Sequence, residues 1–399
     1  MREGWTYNIP ITDVVWFQEG PGVRNTQYTD TGIKLLNVAN LVDGHIDLTT
    51  SDRYISIEDA YGKYKHFLVD EGDLILASSG IKVDYIEKKM GFIKKEHLPL
   101  CMNTSTIRFK TINDDRLYIY FFMYFLKSFA FKKQLYKQIT GSAQLNFGPS
   151  HLKRMTITVP PLSEQQSIVA ELDKINELIS LKKAQLSDLD SLAQSIFYDM
   201  FGDPIENEKG WEVKMLKEIG RIITGNTPSK AVPEYYDDNF IEWIKTDNIE
   251  KNQLYATEAK EYLSEKGANC GRVVNKGSLL VACIAGSLDS IGKACVTDRR
   301  VAFNQQINAI VPYEIVDILF LYHLITRMKG IIQERASTGM KHILTKSVME
   351  EIVVPLPPLP LQQEFAKRIE LIEQQKVQIS STIKDLETLL ASRMQYWFD

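Results

Sequence analysis

Apolar positions in two segments of the chain follow a heptad pattern, which predicts two long helices with one apolar seam each. Positions spaced alternately four and three apart are apolar at nine of ten places in residues 168–200 and at eight of ten in residues 365–397. A stripe sustained this far is typical of a coiled-coil seam. A helix over 164–201 would be about 57 Å long. The predicted helix-pairing residues are Ile168, Leu172, Ile175, Ile179, Leu186, Leu189, Ile196, Phe365, Ile369, Ile372, Ile379, Ile383, Leu386 and Leu390.

The two helical segments are copies of each other. Residues 160–201 and 357–398 align without gaps at an offset of 197 positions, and Gln165 and Gln362 are among the identical pairs. A Pro-Pro pair precedes each copy, at a place where a helix can start but cannot run through. Because each narrow stripe needs a partner helix, we expect the two copies to pair with each other. The alternative is that each helix packs on its own domain.

The segments before the two helices are also related. Residues 1–157 and 205–355 are each about 150 residues long, which suits one domain apiece. Each opens with Gly-Trp, continues to a Gly-led apolar strand, and closes with an apolar helix and a Thr-Gly turn. We therefore predict two mixed α/β (α+β) domains in an internal pseudo-two-fold repeat, with spacer helices in 158–204 and 356–399. The diverged loops suit domains that read different targets.

Charge is unevenly distributed along the chain. The net charge of −4 argues against nucleic acid, but residues 116–163 contain seven basic side chains and no acidic one. Residues 318–349, the corresponding stretch, contain five basic side chains and only Glu334 against them. A basic region in both copies predicts contact with DNA phosphates. The alternative is a solvated helix face that happens to be basic.

Motifs for catalysis or metal binding were not found. No Asn/Asp-Pro-Pro-aromatic tetrad could hold a flipped adenine, and the Gly225–Lys230 loop lacks the second glycine of a phosphate-binding loop. The six histidines have no metal-ligand spacing, and the four cysteines, without a C-x-x-C pair, are expected to be buried thiols. The longest apolar run, about ten residues, is too short for a membrane span. We therefore predict a binding protein without a catalytic or metal site.

Loops rich in polar side chains are the candidates for reading DNA, since readout needs donors and acceptors at base edges with Lys or Arg on phosphates. We favour the Thr-Gly loops and the loops after residues 71–80 and 276–287, because they recur beside the basic stretches. In the first domain the predicted DNA-binding residues are Arg24, Asn25, Gln27, Ser79, Lys82, Asn103, Lys132, Lys133, Lys137, Ser142, Gln144 and Asn146. In the second they are Thr227, Ser229, Lys230, Lys245, Asn248, Ser287, Asn304, Gln305, Lys341 and His342.

Over its whole length the chain resembles the specificity subunit of type I restriction–modification systems. The resemblance lies in the alternation of variable domain and long helix, and in the phrases VPPLSEQQ, IFYDMFGDP, TGMKHI and VPLPPLPLQQ. It implies two target-recognition domains separated by an antiparallel helix pair, the two long helices forming a coiled coil. Each domain would read one half of a split, asymmetric site in double-stranded DNA. The helices would set the gap and dock two adenine N6-methyltransferase subunits.

The resemblance also implies the remaining partners and cofactors. Restriction (motor–nuclease) subunits would join the complex, S-adenosylmethionine would belong to the methyltransferase subunit, and ATP to the restriction subunit. This chain would be non-catalytic and would work in the cytoplasm of a prokaryote, away from membranes. Two alternatives stay open. One is a specificity partner in a methylation-only or other defence complex without a motor, and the other is a coiled-coil adaptor that bridges two protein partners without DNA readout.

Overall fold

A computed structural model describes residues 2–138, 145–337 and 341–399. The chain divides into two compact units. The first unit consists of Met1–Leu181 together with Ile383–Asp399, and the second consists of Lys182–Thr382. Each unit therefore contains one α/β domain and a part of both long helices.

The first unit begins with a domain of short strands and a few helices. Its strands are β1 (Thr6–Pro10), β2 (Val15–Glu19), β3 (Ile33–Leu36), β4 (Leu41–Val42), β5 (His45–Ile46), β6 (Tyr54–Ile55), β7 (Leu74–Ala77), β8 (Ser79–Ile81), β9 (Met90–Phe92), β10 (Leu100–Met102), β11 (Thr106–Thr111), β12 (Leu145–Asn146) and β13 (Thr156–Val159). Its helices are α1 (Ile57–Tyr61), α2 (Ile119–Lys127), α3 (Phe129–Gln138), α4 (Pro149–Leu152) and the first half of α5 (Leu162–Phe201).

The second unit has a similar order of elements. Its strands are β14 (Val213–Met215), β15 (Gly220–Thr224), β16 (Ile241–Ile244), β17 (Tyr262–Leu263), β18 (Val273–Val274), β19 (Leu279–Ala282), β20 (Ile284–Ala285), β21 (Ala294–Val296), β22 (Val301–Phe303), β23 (Ile307–Pro312), β24 (His342–Ile343) and β25 (Val353–Pro355). Its helices are α6 (Leu216–Ile219), α7 (Glu265–Cys270), α8 (Ile318–Arg327), α9 (Lys329–Glu334), α10 (Lys346–Glu350) and the first part of α11 (Leu359–Phe398).

The two domains share one sheet topology. An antiparallel four-stranded sheet has the order β2-β11-β7-β9 in the first domain and β15-β23-β19-β21 in the second. A second sheet contains one parallel pair in each, β10 with β3 and β22 with β16. Two-stranded pairs also recur: β1 with β13 and β14 with β25, then β8 with β12 and β20 with β24. The predicted duplication of a mixed α/β domain is therefore confirmed.

Both domains are built around a strand that is buried over its whole length. Every residue of β7 (Leu74–Ala77) and of β19 (Leu279–Ala282) is buried. Short, continuous apolar runs of this kind are typical of strands covered on both faces. In the first domain, Phe122 of α2 covers Phe109 of the central strand β11, with ring centroids 5.3 Å apart. The core thus sits between the four-stranded sheet and the helix that follows it.

The long helices begin directly after their Pro-Pro pairs, as predicted. Each has 40 residues, which corresponds to about 60 Å. After α5, Gly202 adopts a φ of +76°, a left-handed conformation that commonly ends a helix. All fourteen predicted helix-pairing residues are buried or half-buried. None of the described helices is long and apolar enough to cross a membrane.

The two long helices contact each other in both units. In the first unit Glu171 of α5 accepts hydrogen bonds from the Arg393 guanidinium and, at 3.1 Å, from the Trp397 indole of α11. In the second unit the Lys376 ammonium of α11 lies 2.9 Å from the Asp190 carboxylate of α5, and the rings of Phe197 and Phe365 are 5.7 Å apart. Within this unit a later residue of α5 contacts an earlier residue of α11, so the helices run antiparallel there, and the predicted pairing of the two repeats is confirmed.

The alternative of packing on a domain is also partly correct, because the same helices contribute to the domain cores. Ile168 and Leu172 belong to the apolar core of the first domain, and Trp397 packs against that core from α11. In the second unit Phe197 of α5 stacks on Phe320 of α8, with ring centroids 5.9 Å apart. Each domain is therefore attached to segments of both helices.

The identical glutamines of the two repeats explain part of this attachment. Gln165 is fully buried, accepts a hydrogen bond from the Tyr118 backbone N–H at 2.8 Å, and donates to the backbone carbonyls of Arg116 and Pro160. Gln362 is also fully buried and accepts from the backbone N–H of Asp317 at 2.9 Å. Each glutamine thus fastens the start of the domain's apolar helix, α2 or α8, to a long helix.

Candidate nucleic-acid interface

In the second domain, the structure brings several predicted DNA-binding loops to one edge. The strand pair β20–β24 places Ala285 opposite His342. The Thr227 hydroxyl donates a hydrogen bond to the Gln305 side chain, and the neighbouring Gln306 amide reaches the Ile284 carbonyl at 3.4 Å. Thr227 and Gln305 are exposed, and the Nδ1 atom of half-buried His342 has no hydrogen-bond partner among the described residues. This edge therefore presents polar groups to an incoming ligand.

The first domain has the same edge, built by β8 and β12. Ser79 lies opposite Asn146, and the Phe147 backbone N–H donates to the Ser78 carbonyl at 2.9 Å. In the first domain, the loop after β7 therefore lies beside the segment after α3. In the second domain, the loop after β19 lies beside the segment after α9 in the same way. Asn146 is placed here through its backbone. Ser142 and Gln144, with the Thr-Gly turns at 140–141 and 338–339, lie outside the described residues.

Three predicted DNA-binding asparagines belong to the scaffold instead. Asn103 is 2% exposed, and its amide donates to the Asn37 side-chain oxygen at 2.8 Å. Asn304 is 5% exposed and accepts from the Gln306 backbone N–H at 3.0 Å. Asn248, also buried, accepts from a backbone N–H at 3.0 Å and donates to a backbone carbonyl at 3.0 Å. The predictions for these three are wrong, because buried amides engaged with the protein cannot reach base edges.

Two of these asparagines lie at a close backbone approach that recurs in both domains. A Cβ atom on Gly20 would lie 2.0 Å from the Asn103 carbonyl oxygen, and one on Gly225 would lie 2.0 Å from the Asn304 carbonyl oxygen. Only glycine fits at such a contact. The Gly-Asn contacts therefore fix the same crossing of two loops in both domains.

Two of the predicted phosphate-binding lysines are occupied by carboxylates. Lys132 lies 2.9 Å from Glu87 and is largely buried. Lys245 pairs with Glu261, and its ammonium stands 4.7 Å from the centroid of the Trp243 ring. The predictions for both are not supported, because each cation already has a counter-charge within its own domain.

The other predicted residues remain available to a ligand to different degrees. Gln27 is half-buried and engaged: it donates to the Tyr64 hydroxyl at 3.0 Å and accepts from the Arg24 backbone N–H at 3.1 Å. Ser79 is half-buried. The exposed ones are Arg24, Asn25, Lys82, Lys133, Lys137, Ser229, Lys230, Ser287 and Lys341. These exposed residues stay predictions for DNA contact.

Sequence reasoning missed one position at the edge of the first domain. Thr104 follows Asn103 as Gln305 follows Asn304, and Thr104 is exposed like Gln305. Aligning the two asparagines, each one residue beyond a buried strand, would have identified Thr104 from the sequence. The corresponding positions therefore carry a hydroxyl in one domain and an amide in the other.

Candidate catalytic chemistry is not apparent at either edge. Among the described residues, no group of three or more His, Cys, Asp or Glu side chains could hold a metal ion. Burial raises the pKa of the thiols of Cys101, Cys283 and Cys295 to about 12, which keeps them protonated and unreactive. Cys270 is exposed, so the prediction of buried thiols fails there.

The family model for the type I restriction modification DNA specificity domain matches residues 4–190 and again 208–388. The specificity subunit of the type I restriction enzyme HindI from Haemophilus influenzae is 32% identical over 166 residues, which are 40% of this chain and 35% of that protein. The EcoR124I/EcoR124II specificity subunit from Escherichia coli is 25% identical over 213 residues, 52% of this chain and 51% of that protein.

These two matches span about a third to a half of the relatives' own length. A putative type I restriction enzyme specificity subunit, MjaX, from Methanocaldococcus jannaschii matches more of the chain. It is 24% identical over 388 residues, covering 90% of this chain and 86% of that protein.

Two solved structures have the same fold. The type I restriction–modification S subunit from M. genitalium aligns with a TM-score of 0.56 and 15% identity, over 99% of this chain and 96% of that one. A chain from a structural study of complex assembly and conformational transition in a type I restriction–modification system aligns with a TM-score of 0.61 and 17% identity, over 99% of this chain and 97% of that one.

Proposed function

The chain belongs to the family of type I restriction modification DNA specificity domains, and on that premise we propose that it recognises DNA for a type I restriction–modification complex. Each domain reads one half of a split site in double-stranded DNA. The long helices set the gap between the halves and dock two adenine N6-methyltransferase subunits, and restriction subunits join for cleavage.

One observation carries the proposal for DNA readout: the two domains keep one scaffold but differ at the same exposed edge. Gln305 offers an amide that can pair with adenine through two hydrogen bonds, whereas Thr104 offers a single hydroxyl. Lys341 and Lys82 are exposed near the recurrent strand pairs and can contact phosphates. Two copies of one scaffold with different readers are what an asymmetric bipartite site requires.

Matched apolar side chains on the long helices support docking of two copies of one partner. Leu192 of α5, in the second unit, is 48% exposed, and its repeat equivalent Leu389 of α11, in the first unit, is 45% exposed. Exposed leucines at equivalent positions of both repeats provide two similar binding patches for identical subunits. The chain itself is non-catalytic in this proposal. S-adenosylmethionine belongs to the methyltransferase subunit and ATP to the restriction subunit.

Exchange of one domain tests the readout. Residues 205–355 are replaced by the corresponding domain of a relative, the protein is combined with its methyltransferase partner, and methylated adenines are mapped by sequencing. We expect one half of the recognised site to change while the other half and the gap stay the same. A change in both halves would contradict the assignment of one domain to one half. A methylation pattern that ignores the exchange would favour an adaptor without DNA readout.

Substitutions of the matched leucines test the docking. Leu192→Asp and Leu389→Asp should each remove one methyltransferase copy, because each introduces a charge into one apolar patch. The mass of the complex, measured by native mass spectrometry, reports the number of copies bound. Exposed Ser191→Asp serves as a control for an added charge one residue away. Retention of two copies by both leucine variants would contradict these patches as docking sites.

A further inference from the structure

The second unit contains a cavity that DNA readout and helix pairing do not explain. Its volume is about 510 Å³, and its walls come from α5, α8, α11 and the loops at residues 250–252 and 292–294. His323 and Arg327 of α8 line it, together with Tyr198 of α5 and Lys376 of α11. A cavity of this size is typical of sites for small molecules.

His323 presents an unpaired hydrogen-bond donor in this wall. The residue is 7% exposed, and its Nδ1 atom lies 2.9 Å from the Arg327 guanidinium. Arginine can only donate, so Nδ1 must accept, and the proton of the neutral ring is on Nε2. Burial and the nearby Arg327 lower the pKa of His323 well below its usual value, which keeps the ring neutral. Its Nε2–H donor is buried and has no partner among the described residues.

Arg327 adds a second unpaired donor and an uncompensated charge. Its guanidinium stacks 4.4 Å from the Phe197 ring centroid and donates to the His323 carbonyl at 2.9 Å and to the Ala193 carbonyl at 3.4 Å. Its Nε–H is buried without a partner, and no ion pair with a carboxylate involves it among the described residues. Burial lowers the pKa of Arg327 to about 10, so it remains charged at neutral pH. A buried cation beside two unpaired N–H donors calls for an anion.

The other charged residues of the lining do not provide Arg327 with an anionic partner. Asp190 and Glu373 both lie 2.9 Å from Lys376, so these carboxylates already share one cation. Lys251, Lys293 and Lys329 add positive charge to the lining, Lys329 being paired with Asp289, and Glu250 is the third carboxylate there. The lining thus holds five basic and three acidic side chains, and Arg327 has no carboxylate partner among the described residues.

The equivalent place in the first unit holds a different set of polar side chains, so the duplicated scaffold does not by itself require the cavity chemistry. Counted from the glutamine-bound N–H at the helix start, Tyr124 of α2 corresponds to His323 of α8. The Tyr124 hydroxyl donates to the Asp173 carboxylate at 2.6 Å and accepts from the Asn176 amide at 3.0 Å. Here the polar groups satisfy one another. In the second unit, His323 and Arg327 instead carry N–H donors that have no acceptor among the described residues.

We propose that this cavity binds a small ligand through a phosphate group, with Arg327 and His323 as the donors. Arginine suits phosphate because its planar fork can form two parallel hydrogen bonds. The phosphate can be free or can belong to a mononucleotide, whose base would have room beside Tyr198 in a volume of about 510 Å³. The site is separate from the polar edge at Thr227 and Gln305 and takes a ligand distinct from the DNA target.

Calorimetric titration of the full chain, without DNA, tests the proposal with inorganic phosphate in one arm and a nucleoside monophosphate in the other. We expect saturable binding of one molecule per chain in at least one arm. Tighter binding of the nucleotide identifies a mononucleotide site, and equal or tighter binding of phosphate identifies a free-phosphate site. Arg327→Met should weaken binding roughly tenfold or more, because it removes a charge-assisted pair while keeping the apolar stem.

A matched control and a second variant keep the result interpretable. Lys127→Met removes a cation at the end of α2 in the first unit, outside the lining of this cavity, and should leave binding unchanged. If Arg327→Met does not fold, as judged by its melting curve, Lys251→Glu with Lys293→Glu reverses charge in the lining without touching α8 and should weaken binding several-fold. The proposal is overturned by a cavity that holds only water, seen as no saturable binding in either arm. It is equally overturned by binding that survives in the folded variants or falls as much in Lys127→Met.

Discussion

Several buried polar side chains recur in the two domains, whereas exposed side chains next to them differ. Asn103 and Asn304 occupy the same loop crossing, and Gln165 and Gln362 make the same three-way contact with a helix start. One residue further along the same loop, exposed Thr104 is replaced by exposed Gln305. Recurrence of a polar residue in both copies therefore marks the scaffold, because a buried amide must satisfy the same backbone groups each time. Divergence marks the surface that selects a target.

The two domains differ in the buried polar side chains where α2 and α8 pack against the long helices. In the first unit Tyr124, Asp173 and Asn176 satisfy each other. In the second unit His323 and Arg327 are buried at an equivalent place but keep unpaired donors. Buried polar side chains that differ between the two domains therefore point to a separate function, because the shared scaffold does not account for the difference.

The largest effect should come from breaking a shared buried contact. Gln165→Met and Gln362→Met each leave a backbone N–H and backbone carbonyls without partners, so each should lower the free energy of unfolding by about 2–4 kcal/mol. Denaturant unfolding measures both variants. Gln166→Met and Gln363→Met, at the exposed neighbouring positions, should cost less than about 0.5 kcal/mol. Unequal losses in the two copies would show that the contact is not equivalent.

Substitution of the exposed side chains of Gln305 and Thr104 should change the selectivity for DNA sequence without changing the stability of the protein. Gln305→Ala should relax discrimination at one base pair by about 1–3 kcal/mol, and Thr104→Ala should act only on the other half of the site. Both variants should unfold within about 0.5 kcal/mol of the parent protein. Competition binding with single-base variants of the site measures the discrimination. If Gln305→Ala alters the half-site that Thr104→Ala alters, the assignment of the two edges is wrong.

Paired and unpaired lysines of α3 should differ in their effect on DNA affinity. Lys133→Ala with Lys137→Ala should flatten the slope of log K against log salt by about one to two units, because fewer counterions are released on binding. Lys132→Ala should leave that slope unchanged, since its ammonium is held by Glu87. Binding measured across a salt series provides the slopes. If Lys132→Ala flattened the slope equally, Lys132 would exchange its contact with Glu87 for one with a DNA phosphate on binding.

The smallest effect concerns acid stability of the helix pair in the first unit. Hydrogen bonding from Arg393 lowers the pKa of Glu171 from its ordinary 4.5. Because the folded state holds the carboxylate charged, its contribution to stability is present above that ordinary value and is lost as pH falls below it. Glu171→Gln should reduce this fall between about pH 5 and 3, as measured by unfolding across pH. Glu177→Gln, at an exposed pair with Lys174 in one helix, should leave the pH profile as it was.

The helix pair and the duplicated fold could be predicted from the sequence because local pattern determines them. Apolar residues at heptad spacing formed the two 40-residue helices, and the Pro-Pro pairs located where both begin. Residues such as Asn248 and Lys245 could not be assigned correctly in this way. A polar residue in a turn has the same appearance in the sequence whether its side chain turns inward to a backbone N–H, as Asn248 does, or outward to solvent.

The sequence by itself determined that this protein is two copies of one domain and one long helix, since repeats and periodicity are properties of order along the chain. The tertiary structure decided which polar side chains are free. Glu87 and Lys132 are 45 residues apart in the sequence, and only folding brings their charged groups within 2.9 Å of each other. It also decided that His323 and Arg327 line one cavity with two N–H donors that have no partner among the described residues, because that depends on how separate helices pack.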